Sequence, residues 1–215
     1  MLRIITALVP ILIASMISAG QTAPAQAETT KPDDYAAMVA KLKKGDTKID
    51  FHALRIAYSE TSDANPYGAR LETRRSMNVA VQQQRCGEAI KIADEILKTT
   101  YLSPDVHAAL SACMRAAGEI GKADFHKGVY LGLINSILSQ GDGRTPDSAY
   151  IVISIEEEYA VMRALGLSVW AQQQMRRGEH SFEVLSGSND KAKQTSKVFF
   201  NIDIPAALER RRMAK

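Results

Sequence analysis

Apolar positions recur at helical spacing through the front of the chain and at strand spacing near its end. Over 31–44, Tyr35, Met38, Val39 and Leu42 fall on one face, which predicts an amphipathic helix that Gly45 is placed to end. Asp50 is a capping residue ahead of Phe51, Leu54, Ile56 and Tyr58, the apolar side of a second helix. The stretch 61–68 is a loop by composition. From 71 to 138 the pattern predicts four helices, broken at 85–87, 100–103 and 118–121. Ser103-Pro104-Asp105 is a helix start: a capping hydroxyl, proline at the first helical position, then an acid near the positive dipole end. Short connections predict antiparallel neighbours. Gly87-Glu88-Ala89-Ile90 and Gly121-Lys122-Ala123-Asp124 stand 34 residues apart, the tetratricopeptide (TPR) spacing. Met77 occupies a position where that repeat needs a small residue, so 28–140 reads as TPR-like rather than as a true array.

The period shortens after Gln140. Residues 141–147 are a dense turn signal, and Tyr150-Ile151-Val152-Ile153 reads as a buried strand. Ser154 and Glu157 form a capping-box pattern ahead of a helix that carries Tyr159, Val161, Met162 and Leu165 and stops at Gly166. The stretch 167–175 fits a strand or a helix. Residues 181–185 and 197–202 read as strands joined by a polar loop over 187–196, with Pro205 ending the last. Three or four such strands predict a small antiparallel sheet over 141–205, one face packed on the helices. The fold class is α+β.

The first 27 residues bear on location. Met1-Leu2-Arg3 is a short positive start, 4–19 is almost wholly apolar, and Ala25-Gln26-Ala27 is a small-x-small cleavage pattern. A membrane helix fits less well, because the run is short, is broken by Pro10 and is followed by no anchor. The expectation is a signal peptide over 1–27 and a periplasmic or secreted product with no stable membrane insertion. A formal net charge of +3 attracts no nucleic acid. The basic end, 206–215, reads as a solvated tail around Arg210-Arg211-Arg212.

Chemistry-bearing residues are sparse. Cys86 and Cys113 form either a disulfide staple or two small buried hydrophobes. His52, His107, His126 and His180 have no ligand spacing and read as structural. Trp170 and the tyrosines default to core packing. Asp142 between two glycines reads as a turn rather than a calcium loop. Glu156-Glu157-Glu158 reads as dipole and capping-box stabilisation of a helix start, which accounts for at least two of them; the functional alternative is a glutamate aimed at a cleft, meeting Asp142 or His180. No nucleophile elbow, phosphate loop or dinucleotide fingerprint is present, so no catalytic residue, metal or cofactor is assigned.

Two functions fit. The first is a non-enzymatic binding or protein-interaction module whose helical pairs present a groove to an envelope protein or peptide. The second is a small-ligand-binding protein or hydrolase with a polar site near the 141–144 turn, built from Asp142, Arg144, Glu157, Tyr159, His180 and Asn201.

Several segments together carry a family resemblance. They are Ile49-Asp50-Phe51-His52-Ala53-Leu54-Arg55-Ile56-Ala57-Tyr58, Leu131-Gly132-Leu133-Ile134-Asn135-Ser136-Ile137-Leu138 running into Gly141-Asp142-Gly143, and Ala149-Tyr150-Ile151-Val152-Ile153 into Glu157-Glu158-Tyr159. Gly178-Glu179-His180-Ser181-Phe182 and Phe199-Phe200-Asn201-Ile202-Asp203 complete the set. The chain resembles, over about 49–205, a bacterial family of exported proteins known as the domain of unknown function numbered 4919. That resemblance implies an exported TPR-like helical domain closed by a small sheet. It implies no activity, cofactor or catalytic residue.

Overall fold

Helices α1 (Pro32–Lys43) and α2 (Phe51–Ser59) open the computed structural model, which describes residues 32–189 and 191–214. The signal peptide expected over 1–27 lies outside them. Gly45 ends α1 in the left-handed region at φ 91°, and Asp50 caps α2 by accepting from the Ala53 amide. Four helices follow: α3 (Leu71–Gln82), α4 (Cys86–Thr99), α5 (Pro104–Ala116) and α6 (Ile120–Leu138). Ser103 caps α5 through the Val106 amide, with Pro104 at its first position. Each of the four packs on the next, and α3 also touches α5, so two hairpins stack side by side. Cys86 and Cys113 are joined by a disulfide, with Cα atoms 5.2 Å apart, tying α4 to α5.

The second half holds strand β1 (Tyr150–Ile151), helix α7 (Ile155–Ala164), strands β2 (Ser168–Arg177), β3 (His180–Asn189) and β4 (Gln194–Asn201), and helix α8 (Asp203–Met213). The sheet order is β1-β4-β3-β2. The sheet is mixed rather than antiparallel throughout, because β1 runs parallel to β4. The cause is topological: α7 is a crossover that leaves β2 parallel to β1, and two hairpins then bring β4 back in that same direction. Glutamine-rich 167–175 is a strand. Its bulge between Val169 and Ala171 turns Trp170 out to solvent, against the core placement expected for it. Gly187, Ser188 and Asn189 pair with Ser196, Thr195 and Gln194, so most of the expected polar loop is strand.

The basic end also departs from expectation. Pro205 lies within α8, and Leu208 of that helix is buried in the same core as Leu42, Leu54 and Leu133. Arg211 donates to the Ser59 carbonyl and Arg212 to Asn65 Oδ1. A basic run with few apolar residues gave little sign that one leucine would anchor a helix.

Helix α6 links the halves. Val129 and Leu133 pack with α1 and α2, while Ile137, one turn on, packs with Val152, Val161 and Phe200 beneath the sheet. A polar bond spans the same junction. Arg55 on α2 is 0% exposed and pairs bidentately with Glu157 of α7, Nε to Oε1 at 2.7 Å and Nη2 to Oε2 at 2.8 Å. Its Nη2 also donates to the Ile151 carbonyl at 2.8 Å, and Nη1 makes longer contacts of 3.4 Å to Ser136 O and Oγ on α6. Four elements therefore share one guanidinium.

Removing one partner of such a pair strands a buried charge. Arg55→Met lowers the unfolding free energy by about 3–5 kcal/mol, and adding Glu157→Met recovers most of the loss. Urea unfolding of the three proteins measures both values, and purely additive losses contradict the coupling.

Candidate functional site

The first turn of α7 carries three consecutive glutamates, and none faces water. Glu156, Glu157 and Glu158 are 2%, 2% and 1% exposed. Successive helix residues point about 100° apart, so the three side chains leave the turn in three directions. Ser154 makes no side-chain cap, and the capping box expected with Glu157 does not form. Glu157 instead pairs with Arg55 and accepts from the Ile153 amide at 2.8 Å. The α7 start is held by the Ile155 amide bonding to the Pro66 carbonyl at 2.8 Å.

Glu156 points into the helical half. It accepts from the Ser103 hydroxyl and, at 2.7 Å, from the Ala69 amide, and it lies 3.6 Å from Arg74. Gly68, at φ 74°, lets the backbone pass so close that any Cβ there would run into the Glu156 side chain. Burial pushes the Glu156 carboxyl up to about 7, against the pull of Arg74 and Ser103.

Glu158 points elsewhere, into a cleft of about 610 Å³. One wall is Ile155 and Glu158 of α7, and the floor is Met175 of β2 with Phe182 and Glu183 of β3. Helix α8 closes the far side with Pro205, Ala206, Glu209 and Met213, and Tyr67 stands at the edge. Glu183 and Gln174 are cross-strand partners, and Gln174 Nε2 donates to Glu183 Oε2 at 3.1 Å. The Glu209 carboxylate beside it holds the Tyr67 hydroxyl above its usual range. Even so, Glu158 Oε1, Glu183 Oε1 and Glu209 Oε2 are buried without a hydrogen-bond partner. Among the described residues four buried side-chain polar atoms lack a partner, and three of the four belong to residues that line this cleft; the fourth is His52 Nδ1. Burial, then the charges of Glu183 and Glu157, push the Glu158 carboxyl up to about 9, so it is neutral at pH 7.

The residues expected to converge do not form one site. Asp142 is exposed and closes its own turn, accepting from the Ser148 hydroxyl at 2.5 Å and the Arg144 amide at 3.0 Å. Those bonds, the Ser148 one first, hold its carboxyl below the usual range. Arg144 lies 3.9 Å from Asp142 in open solvent. Glu157 is spent on Arg55, and the Tyr159 hydroxyl donates to Gln172. His180 and Asn201 do meet, both bonding to Asp203 Oδ2 at 2.6 and 3.2 Å, while Asp203 Oδ1 accepts from the Ser181 amide. That cluster ties the start of α8 to the β2–β3 hairpin.

Two further histidines form a pair. His107 Nε2 lies 2.9 Å from the Tyr101 carbonyl, which only accepts, so that nitrogen carries the proton. His107 Nδ1 is therefore the acceptor in the 3.0 Å contact with His126 Nδ1. Burial lowers His107 to about 4, so its ring is uncharged at neutral pH, and burial lowers His126 as well. Among the described residues no group of three or more His, Cys, Asp or Glu stands in a metal-holding arrangement, and no helix is long and apolar enough to cross a membrane.

Glu158, Glu183 and Glu209 were all missed by sequence reasoning. Glu158 sat in a run read mainly as helix-start stabilisation, Glu183 was read only as part of the 181–185 strand, and Glu209 lay in the tail expected over 206–215. No spacing rule joins positions 158, 183 and 209; only the fold does.

A carboxyl with a raised folded-state pKa binds its proton more tightly in the folded than in the unfolded chain. Stability attached to Glu158 is therefore present at low pH and is lost as pH rises from about 4.5 towards about 9. Glu158→Gln keeps the shape and removes the loss, raising stability by about 3 kcal/mol at pH 7 with the gain vanishing near pH 4.5. Chemical denaturation at the two pH values measures it, and equal gains at both contradict the assignment.

No curated protein and no solved structure matches the chain. The model of a family described as Domain of unknown function (DUF4919) matches residues 29–211, and on that match the chain belongs to this family.

Proposed function

We infer that the chain is a non-enzymatic binding module that takes a small amphipathic molecule into the cleft between α7, the sheet and α8. The observation that carries this is that the three residues with an unpartnered carboxyl oxygen all line one cleft. Each buried acceptor left unpaired costs about 1–3 kcal/mol. Elsewhere the protein satisfies its buried charges closely: Glu157 and Arg55 use almost every lone pair and N–H they have, and Glu156 has three partners. A ligand that brings donors into the cleft completes the set.

The shape agrees with that role. A volume near 610 Å³ suits a small organic molecule, and the walls are mainly apolar with a few polar groups at fixed places. The TPR-like hairpins serve as the scaffold that holds α7 from behind. The reading places the module outside the cytoplasm: the leader pattern at 1–27 supports this, as does the Cys86–Cys113 disulfide, a bond that persists in oxidising compartments.

The experiment is a melting-temperature screen of alcohols, acids and amines bearing four- to eight-carbon alkyl or phenyl groups. A ligand present at about 100 times its Kd adds about 2.7 kcal/mol of stability. At least one probe class raises the melting temperature, and Ala206→Phe, which fills the cleft from α8, removes the rise while leaving the far-UV circular dichroism unchanged. A rise that survives Ala206→Phe moves the site elsewhere, and silence across all probes rejects the reading.

A further inference from the structure

We propose that the ligand enters this cleft with a cationic end, an alkylammonium or guanidinium group, which seats against Glu158 and Glu183 while its apolar body lies along Ile155 and Phe182. The proposal rests on the small-ligand reading above and names the chemical class of that ligand.

The argument begins with what the deep groups lack. Glu158 and Glu183 are 1% and 5% exposed, both line the cleft, and each has an Oε1 with no partner. A carboxylate only accepts and a carboxylic acid carries a single O–H, so once Glu158 gives up its proton both groups call for donors from outside. An ammonium carries three N–H donors and a full charge, enough to serve both oxygens at once. A hydroxyl offers one donor and no charge, and an anion is repelled. A metal ion suits the place poorly, because these carboxyls do not stand in a metal-holding arrangement.

The surrounding charges are of both signs. Facing Glu158 are Glu183 from β3, Glu209 and Arg210 from α8, Arg176 from β2 and Tyr67 from the loop before α3. Glu157 of its own helix is committed to Arg55. Arg176 and Arg210 are exposed and make no ion pair among the described residues, so they leave the buried acids unneutralised. The cleft is cationic at its rim and acidic within.

Proton balance follows. Burial holds a proton on Glu158 up to about pH 9, so the empty cleft is protonated there at pH 7.5. When the ammonium seats, the Glu158 O–H bond breaks and that proton leaves to solvent. The ammonium keeps its own three protons, and no covalent bond forms. Binding therefore releases one proton, and affinity rises about tenfold per pH unit between pH 6.5 and 8.5.

Isothermal titration of the purified protein with n-hexylammonium, hexan-1-ol and hexanoate tests this. Hexylammonium binds roughly tenfold or more tighter than the other two. It tightens with pH as stated, and its heats in phosphate and Tris differ by the ionisation heat of one proton. In Glu158→Gln the pH dependence disappears. Hexan-1-ol or hexanoate matching hexylammonium, or binding where it is silent, overturns the cationic class and leaves the cleft reading standing. Hexylammonium binding with its pH dependence intact in Glu158→Gln overturns the seat. Silence from all three, together with silence in the wider melting screen, overturns both readings.

Discussion

The buried pair of Arg55 and Glu157 is the constraint on which the rest of the arrangement depends. A guanidinium taken wholly out of water is tolerable only if its charge and its donors are all met. Here α2 supplies the arginine and three other elements meet it: α7 with the carboxylate, β1 with a carbonyl and α6 with a backbone oxygen and a hydroxyl. No smaller part of the chain can assemble that set. The pair therefore joins the helical half to the sheet half and fixes the rotation of α7 about its axis.

That rotation decides what the neighbouring glutamates do. With Glu157 aimed at Arg55, helix geometry sends Glu156 towards Ser103, Ala69 and Arg74, where it is satisfied, and Glu158 towards the cleft, where it is not. Three identical residues in one turn thus have three different fates. Glu156 ties α7 to the loop at Gly68 and to the start of α5. Glu157 closes the junction. Glu158 stays neutral by burial beside Glu183 and lines the cleft. Helix α8 completes the site from the other end of the chain, positioned by Leu208 in the core and by the Asp203 contacts to Ser181, His180 and Asn201.

Much of the scaffold was legible before the structure. Tyr35 to Leu42, Asp50, Ser103-Pro104 and the four-helix run declare themselves because capping and periodicity are local properties. The α+β class was legible for the same reason. What failed was set by long-range contact. The parallel β1–β4 pair depends on a crossover, and no strand's own residues encode it. Ser154 and Glu157 have the spacing of a capping box, yet a buried arginine 102 residues away outcompetes a local amide for the carboxylate. Trp170 has the composition of a core residue and sits outside because a bulge turns it. The candidate site was sought in polar loops, at Asp142 and His180, where acids and histidines are easy to see. It lies instead among buried positions of α7, β3 and α8, whose acids looked like ordinary solvated charges.

The central claim is that the fold keeps one glutamate of the triplet uncharged inside the cleft. Side-chain carboxyl carbon-13 NMR, with Glu158 assigned through the Glu158→Gln variant, measures this directly across pH 4 to 10. The account predicts that the Glu158 resonance holds its protonated shift through neutrality and titrates near 9. A Glu158 resonance that titrates in the ordinary carboxylate range, near 4.3, would contradict it.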